Sequence, residues 1–310
     1  MSIDFSNLWV EKYRPSALSD FTISDKNKTV IESYKSQKEI PNLLFIGTPG
    51  IGKTTLAKIL VNEVLECQYL YINASDENGI DTIRTKVTSF AQTKSIDGKI
   101  KVIILDETDG LSIDAQRALR NTMEEFAKIT RFILTANYKH RVITALQSRC
   151  QGFDLTPSLD GVVKRCVHIL KAEKVNIPTE EKQKLMEFIK SFYPDLRKCI
   201  NELQKSSASG TLKLTDSFND DVLTLIYEQI KNKNVIALRK ALIESEQQFN
   251  SDYVTLMRNL FNYIDNQDIQ LNVKKKYLLI LAEHLYRSSF VVDQEINCYT
   301  CFIAMSEVSA

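Results

Sequence analysis

The chain has 310 residues, of which 44% are apolar and 25% charged, and a formal net charge of +1. That length supports a sizeable core and two or three domains, and the composition excludes a disordered or membrane-embedded chain. Near-neutrality excludes a surface that grips nucleic acid by bulk charge, so any contact with DNA must run through a few placed groups.

No apolar run approaches the ~20 residues of a membrane span. The N-terminal stretch "MSIDFSNLWVEKYRPS" lacks the basic start and apolar block of a secretory signal. From about Asn42 to Asp154 apolar strands alternate with helical patterns. The predicted strands are "NLLFIG", "YLYIN", "KVIILD", "RFILTAN" and a short "GFDL". Such alternation predicts an α/β domain, a parallel sheet with helices on both faces. After Leu155–Ser158 only helices are predicted. One group covers about 158–209, with helices through "VVKRCVHILKAEK", after Pro178-Thr179 and near Asp195, and Gly210 reads as a helix stop. "GTLKLTDSFN" reads as a linker. A second helical group, 219–310, carries 12 Asp/Glu and 9 Lys/Arg, so it is mildly acidic and unsuited to DNA contact. Its last helix, near 293–309, has apolar Ile296, Tyr299, Phe302, Ile303 and Met305 on more than one face. That pattern fits packing against a neighbouring subunit or a central place in its own bundle. The six cysteines are scattered, and Cys298-x-x-Cys301 lies in a helical pattern as buried apolar side chains. Neither a disulfide framework nor a zinc site is expected, and the expected compartment is reducing: the cytoplasm, the host-cell cytoplasm for a viral protein or the nucleus for a eukaryotic one.

Two stretches carry chemistry. Gly47-Thr48-Pro49-Gly50-Ile51-Gly52-Lys53-Thr54 fits the phosphate-loop pattern G-x-x-x-x-G-K-[ST] in full, with a strand before it and a helix after it. Its glycines let consecutive backbone N–H groups approach a β-phosphate, and the following helix adds its positive end. Lys53 brings charge to the β- and γ-phosphates, and Thr54 a hydroxyl to Mg²⁺. The residues expected to contact the nucleotide here are Thr48, Pro49, Gly50, Ile51, Gly52, Lys53, Thr54 and Thr55. Asp106-Glu107 ends the run "KVIIL". Asp106 is expected to hold Mg²⁺ and Glu107 to polarise the attacking water. Asn137, at the end of the next strand, is placed to orient that water or sense the γ-phosphate.

The order of these elements resembles an AAA+ ATPase, and one branch in particular, the small subunit of sliding-clamp loaders as in replication factor C and tailed-phage replication. The residues that carry the resemblance are "WVEKYRPSALSDF" (Trp9 to Phe21), "NASDENGIDTIR" (Asn73 to Arg84), "LDETD" (Leu105 to Asp109), "DAQRALRNTMEEF" (Asp114 to Phe126), "SRC" (Ser148 to Cys150) and "PDLRKCIN" (Pro194 to Asn201). The C-terminal bundle matches only by position and helicity. The resemblance implies a nucleotide-binding domain at 1–155, a helical lid at 156–212 and a helical collar for oligomerisation at 213–310. It implies that Val10, Tyr13, Arg14 and Pro15 frame the adenine and ribose side of an ATP pocket. Arg197 then reaches the γ-phosphate from the lid, and Arg149 reaches the ATP of the next subunit. Thr108 departs from the family's usual Ala, and Pro194 from a common Gly.

The implied function is an ATP hydrolase that assembles as a hetero-oligomer, a pentamer by family resemblance. It opens a ring-shaped sliding clamp and grips primer–template DNA without reading bases. Between Asp76 and Lys101 there are five Lys/Arg and four Asp/Glu, so DNA contact is expected from the helix start at Asn78 and Gly79, reinforced by Arg84. Phe90 and Ile96 read either as a clamp-facing edge or as core. Two rival readings stand: another AAA+ DNA motor, such as a branch-migration helicase, and an ATP-binding scaffold subunit that does not hydrolyse. Intact Lys53, Glu107 and Arg149 argue against the scaffold.

Overall fold

The computed structural model describes residues 8–93, 95, 98–214, 220–249 and 251–308. Ile96, residues 215–219 of the linker and the last residue of the predicted final helix lie outside them. The chain divides into two compact units, Met1–Lys213 and Leu214–Ala310.

In the first unit, α1 (Trp9–Lys12) and α2 (Asp25–Gln37) precede the strands β1 (Leu43–Ile46), β2 (Tyr69–Asn73), β3 (Lys101–Asp106), β4 (Thr130–Ala136) and β5 (Gln151–Asp154). All neighbouring strands are parallel, in the order β2-β3-β4-β1-β5. Every residue of β3 is buried, as a central strand covered on both faces requires. Alternation sorts the strand side chains into two cores. Leu43, Phe45, Ile104 and Ile133 face α2 and α3 (Lys53–Ile59), which continues in a wider turn through Leu60–Val64. Leu44, Ile103, Leu105, Phe132 and Leu134 face the opposite side, which holds α4 (Ile80–Thr82), a wide turn (Ile83–Val87), α5 (Thr88–Gln92), α6 (Ile113–Glu125) and α7 (Thr144–Gln147). Phe90 packs against this second core with the Lys101 ammonium 4.3 Å from its ring centroid, so it serves the fold's interior.

Three further helices complete the unit: α8 (Leu159–Ala172), α9 (Thr179–Phe192) and α10 (Leu196–Ser206). Serine and aspartate open the key helices. Ser112 caps α6, Ser158 caps α8 and Asp195 caps α10, each accepting a backbone N–H three residues on. The helix stop expected at Gly210 falls four residues earlier, at Ser206. The Gly210 N–H donates to the Ser207 carbonyl and the Lys213 N–H to the Ser206 carbonyl. The chain therefore turns back on itself, and Gly210 supplies the positive φ (78°) that the turn needs.

Among the described residues the second unit holds five α-helices, α11 (Asp220–Lys231), α12 (Val235–Glu244), α13 (Tyr253–Asn266), α14 (Leu271–Arg287) and α15 (Gln294–Ser306). The last helix packs against the other four, with Cys298, Cys301, Phe302 and Met305 buried and Tyr299 and Ile303 half-buried. The bundle itself thus accounts for most of the apolar surface of α15, and Ile296 is left exposed. Burial pushes the Cys301 thiol up to about 12 and the Cys298 thiol well above its usual range, as for inert core cysteines. Among the described residues, no helix is long and apolar enough to cross a membrane.

Candidate active site

The candidate site lies at the carboxyl ends of β1, β3 and β4, where open α/β sheets bind ligands. The loop after β1 leads into α3, and Lys53 is the first residue of that helix. Its ammonium donates to the Gly47 carbonyl (2.7 Å), the Thr48 carbonyl (2.9 Å) and Asn137 Oδ1 (2.7 Å). Lys53 is buried, and the loss of water lowers its pKa although Asp106, Asp109 and Glu107 pull the other way. Asn137, just past the end of β4, therefore meets the lysine side chain directly.

Asp106 ends β3 with a buried carboxylate gripped by three hydroxyls. Thr54 Oγ1 lies 2.8 Å from both carboxylate oxygens, Thr135 Oγ1 donates to Oδ1 (2.6 Å) and the Tyr71 phenol donates to Oδ2 (2.9 Å). Burial, then the charge of Asp106, raises the Tyr71 pKa, so the phenol stays a donor. Thr135 and Tyr71 carry no motif signal; only strand pairing, which sets β2 and β4 either side of β3, brings them here. Glu107 has a left-handed backbone (φ 55°), its N–H donates to Thr135 Oγ1 (2.9 Å) and its carboxylate accepts from Ser75. Asp109 Oδ2 accepts the N–H groups of Asn137 (3.2 Å) and Tyr138 (3.1 Å), which fixes the end of β4. Thr108 is fully buried, and its hydroxyl donates to the Leu105 carbonyl (2.9 Å), which explains why a polar residue is tolerated there.

A cavity beside the phosphate loop is lined by Val10, Tyr13, Arg14 and Pro15 from the N-terminal segment, Gly50, Ile51, Gly52 and Thr55 from the loop and α3, and Arg197 from α10. These sequence-expected residues come together as one wall set. Thr48 and Pro49 lie exposed on the loop above. Reasoning from sequence missed Phe21, Thr22, Pro157, Arg165, Leu196 and Ile200 in the same lining. Arg165, on α8, donates to the Tyr13 carbonyl, and the Tyr13 phenol donates to Glu173 Oε1 (2.6 Å). The N-terminal segment is thus held by the lid helices. The lid also touches the loop itself: the Arg197 N–H donates to the Gly50 carbonyl (3.2 Å). A Cβ on Gly50 would stand 1.9 Å from the Asp195 carboxylate at a φ of +81°, so both contact and conformation demand glycine.

Arg149 sits elsewhere. Leu43 pairs with Gln151, so Arg149 lies at the amino end of the sheet, whereas the phosphate loop leaves β1 at its carboxyl end. The four residues of β1 between them span roughly 13 Å, too far for one side chain to bridge. Its guanidinium pairs with Glu124 at the end of α6 and donates to the Ala145 carbonyl (2.8 Å). Asn78, Gly79 and Arg84 are all exposed, and Gly79 is the N-cap of α4, which has no side-chain cap.

Residues 43–156 match the ATPase family associated with various cellular activities (AAA). Residues 158–215 match the family described as the sliding-clamp-loader large subunit, AAA+ ATPase lid domain. The replication factor C small subunit of Methanococcus vannielii is 39% identical over 303 residues, covering 93% of this chain and 94% of that one. That of Saccharolobus solfataricus is 36% identical over 308 residues, covering 94% and 91%. Among solved structures, a Thermotoga maritima RuvB branch migration motor aligns with a TM-score of 0.54 at 18% identity over 94% of this chain and 90% of its own. A second RuvB structure from that organism gives 0.55 at 17% over 94% and 90%. At such identity the likeness shows the fold alone. With an AAA phosphate-loop domain, a clamp-loader lid and near full-length relatives, the chain belongs to the replication factor C small-subunit family of AAA ATPases.

Proposed function

We propose that this chain is the ATP-hydrolysing small subunit of a sliding-clamp loader, a five-membered spiral hetero-oligomer that opens the clamp and binds primer–template DNA. The observation that carries this reading is the convergence of Lys53, Thr54, Asp106 and Asn137 beside a cavity walled by both the N-terminal segment and the lid. In this reading, residues 1–155 bind nucleotide, 156–212 form the lid and 213–310 form a collar that joins subunits.

The residues present suit ATP and Mg²⁺. Thr54 and Asp106 offer a hydroxyl and a carboxylate 2.8 Å apart, and a magnesium ion arriving with nucleotide phosphates needs only one or two such oxygens. When bound, that ion neutralises charge developing across the β- and γ-phosphates. Lys53 exchanges its carbonyl partners for phosphate oxygens. Glu107 polarises the water that attacks the γ-phosphorus, and Asn137 orients it. Arg197 closes the lid against the γ-phosphate, and Arg149 serves the ATP of the adjoining subunit. Hydrolysis then loosens the contacts between subunits and releases the closed clamp, so the phosphate energy drives a change of assembly.

DNA binding rests on the N-terminal N–H groups of the helix that opens at Asn78 and Gly79, reinforced by Arg84, one or two phosphate contacts per subunit summed around the spiral. Arg84→Ala should lower DNA-stimulated ATPase and leave basal ATPase nearly intact. Binding should show no base preference and should weaken steeply with salt. A base-specific footprint would contradict this mode. The test of the function as a whole is turnover measured with clamp and primed DNA together. A loader is stimulated by the pair, whereas a branch-migration motor needs no clamp and a scaffold does not turn over.

A further inference from the structure

We propose that Tyr71 is a positioning residue for the metal-holding carboxylate, fixing Asp106 from the neighbouring strand so that its remaining lone pairs would stay available to a magnesium ion. This inference rests on the reading that Asp106 and Thr54 hold Mg²⁺. The carboxylate of Asp106 accepts three hydroxyls, and they are not equivalent. Thr54 straddles both oxygens at 2.8 Å from each, which leaves it free to turn toward a metal. Thr135 and Tyr71 each take a single oxygen, Oδ1 at 2.6 Å and Oδ2 at 2.9 Å. Once Thr54 turns away, these two remain as a clamp with one donor on each oxygen, which sets the plane of the carboxylate. Thr135 comes from β4 and Tyr71 from β2, the two strands that flank β3, so both donors are anchored on the sheet. Asn73 pairs with Asp106 across β2 and β3, and Tyr71 lies two residues before it on the same face. The ring has its own support: the Lys58 ammonium of α3 lies 4.7 Å from its centroid. Tyr71 therefore ties the helix that follows the phosphate loop to the carboxylate at the end of β3. It is 39% exposed, more than a residue kept only for the core would be. Outer partners of a metal ligand commonly change metal affinity or activity by roughly 10–100-fold.

The test is ADP affinity of the full chain, measured by calorimetry in EDTA and again in saturating Mg²⁺, for wild type, Tyr71→Phe and Asp106→Asn. Phenylalanine keeps the ring over Lys58 and removes only the donor. Tyr71→Phe should bind ADP in EDTA within about twofold of wild type and lose roughly tenfold of the Mg²⁺-dependent gain. Asp106→Asn should lose at least as much. A wild-type gain in Tyr71→Phe, with the gain lost in Asp106→Asn, overturns the role of Tyr71 and leaves the metal site standing. An equal loss with and without Mg²⁺ in Tyr71→Phe also overturns it, since that marks a structural role. A full gain in Asp106→Asn removes the metal assignment and the proposal with it.

Discussion

The two ends of the parallel sheet hold their charged groups in different ways. At the carboxyl end the polar groups form two bonded sets, Lys53 with Asn137 and Asp106 with Thr54 and Thr135, carried by strands β3 and β4, helix α3 and the residue after β4. Asp109 fixes the strand end behind them. At the amino end, Arg149 has one carboxylate partner, Glu124, and its side chain is 35% exposed. The first end gathers a lysine, an asparagine, a carboxylate and two threonine hydroxyls, and the second holds its arginine apart from them. On the function proposed above, one subunit would carry what it needs to bind nucleotide and would lack one group needed to hydrolyse it.

The largest effects should come from substitutions that leave binding alone. Arg149→Ala should bind ATP normally as an isolated chain and lose roughly 10³–10⁵ in assembled turnover, the usual worth of an arginine finger. Glu107→Gln should likewise keep binding and lose hydrolysis, because an amide cannot polarise water. Wild-type turnover in Glu107→Gln would remove it as the base. Lys53→Ala acts on the other half of the comparison and should weaken nucleotide affinity itself, by roughly 10–100-fold as read by equilibrium titration. Gly50→Ala should weaken affinity by about tenfold, from the cost of a positive φ and the clash with Asp195. Intact affinity in that variant would mean that the lid does not seat on the loop. The smallest effect belongs to Glu124→Gln. A partly exposed pair contributes about 0–1 kcal/mol, so thermal unfolding of the isolated chain should barely move.

The same contrast governs what the sequence could reveal. The phosphate loop and Asp106-Glu107 were legible because their chemistry is local, set by neighbours within eight residues. The strands were legible because a parallel sheet reads as apolar runs between helical patterns, as with "KVIIL". Tyr71, Thr135 and Arg165 were not, since strand order and lid packing bring them in from far along the chain; Asp195 was legible as a helix start but not as the neighbour of Gly50. The final helix stayed ambiguous for a related reason. Its apolar residues occupy several faces, and from sequence alone four neighbours in one bundle look the same as a partner subunit; the contacts of α15 with the other four helices fit the bundle alternative. Gly210 misled more simply: its positive φ was needed, though by a turn and not by a helix end. For Arg149, spacing alone said nothing; the SRC context gave it a role, and the pairing of Leu43 with Gln151 gave it a place.

A mixing experiment tests the shared site most directly. Assemblies of Glu107→Gln chains alone, or Arg149→Ala chains alone, should be inactive. Assembled together, they should regain part of the wild-type ATPase wherever an intact Glu107 site meets an intact Arg149 from its neighbour. If the mixture stays as inactive as either variant, with assembly verified by sedimentation, Arg149 does not act across the interface and the account is wrong.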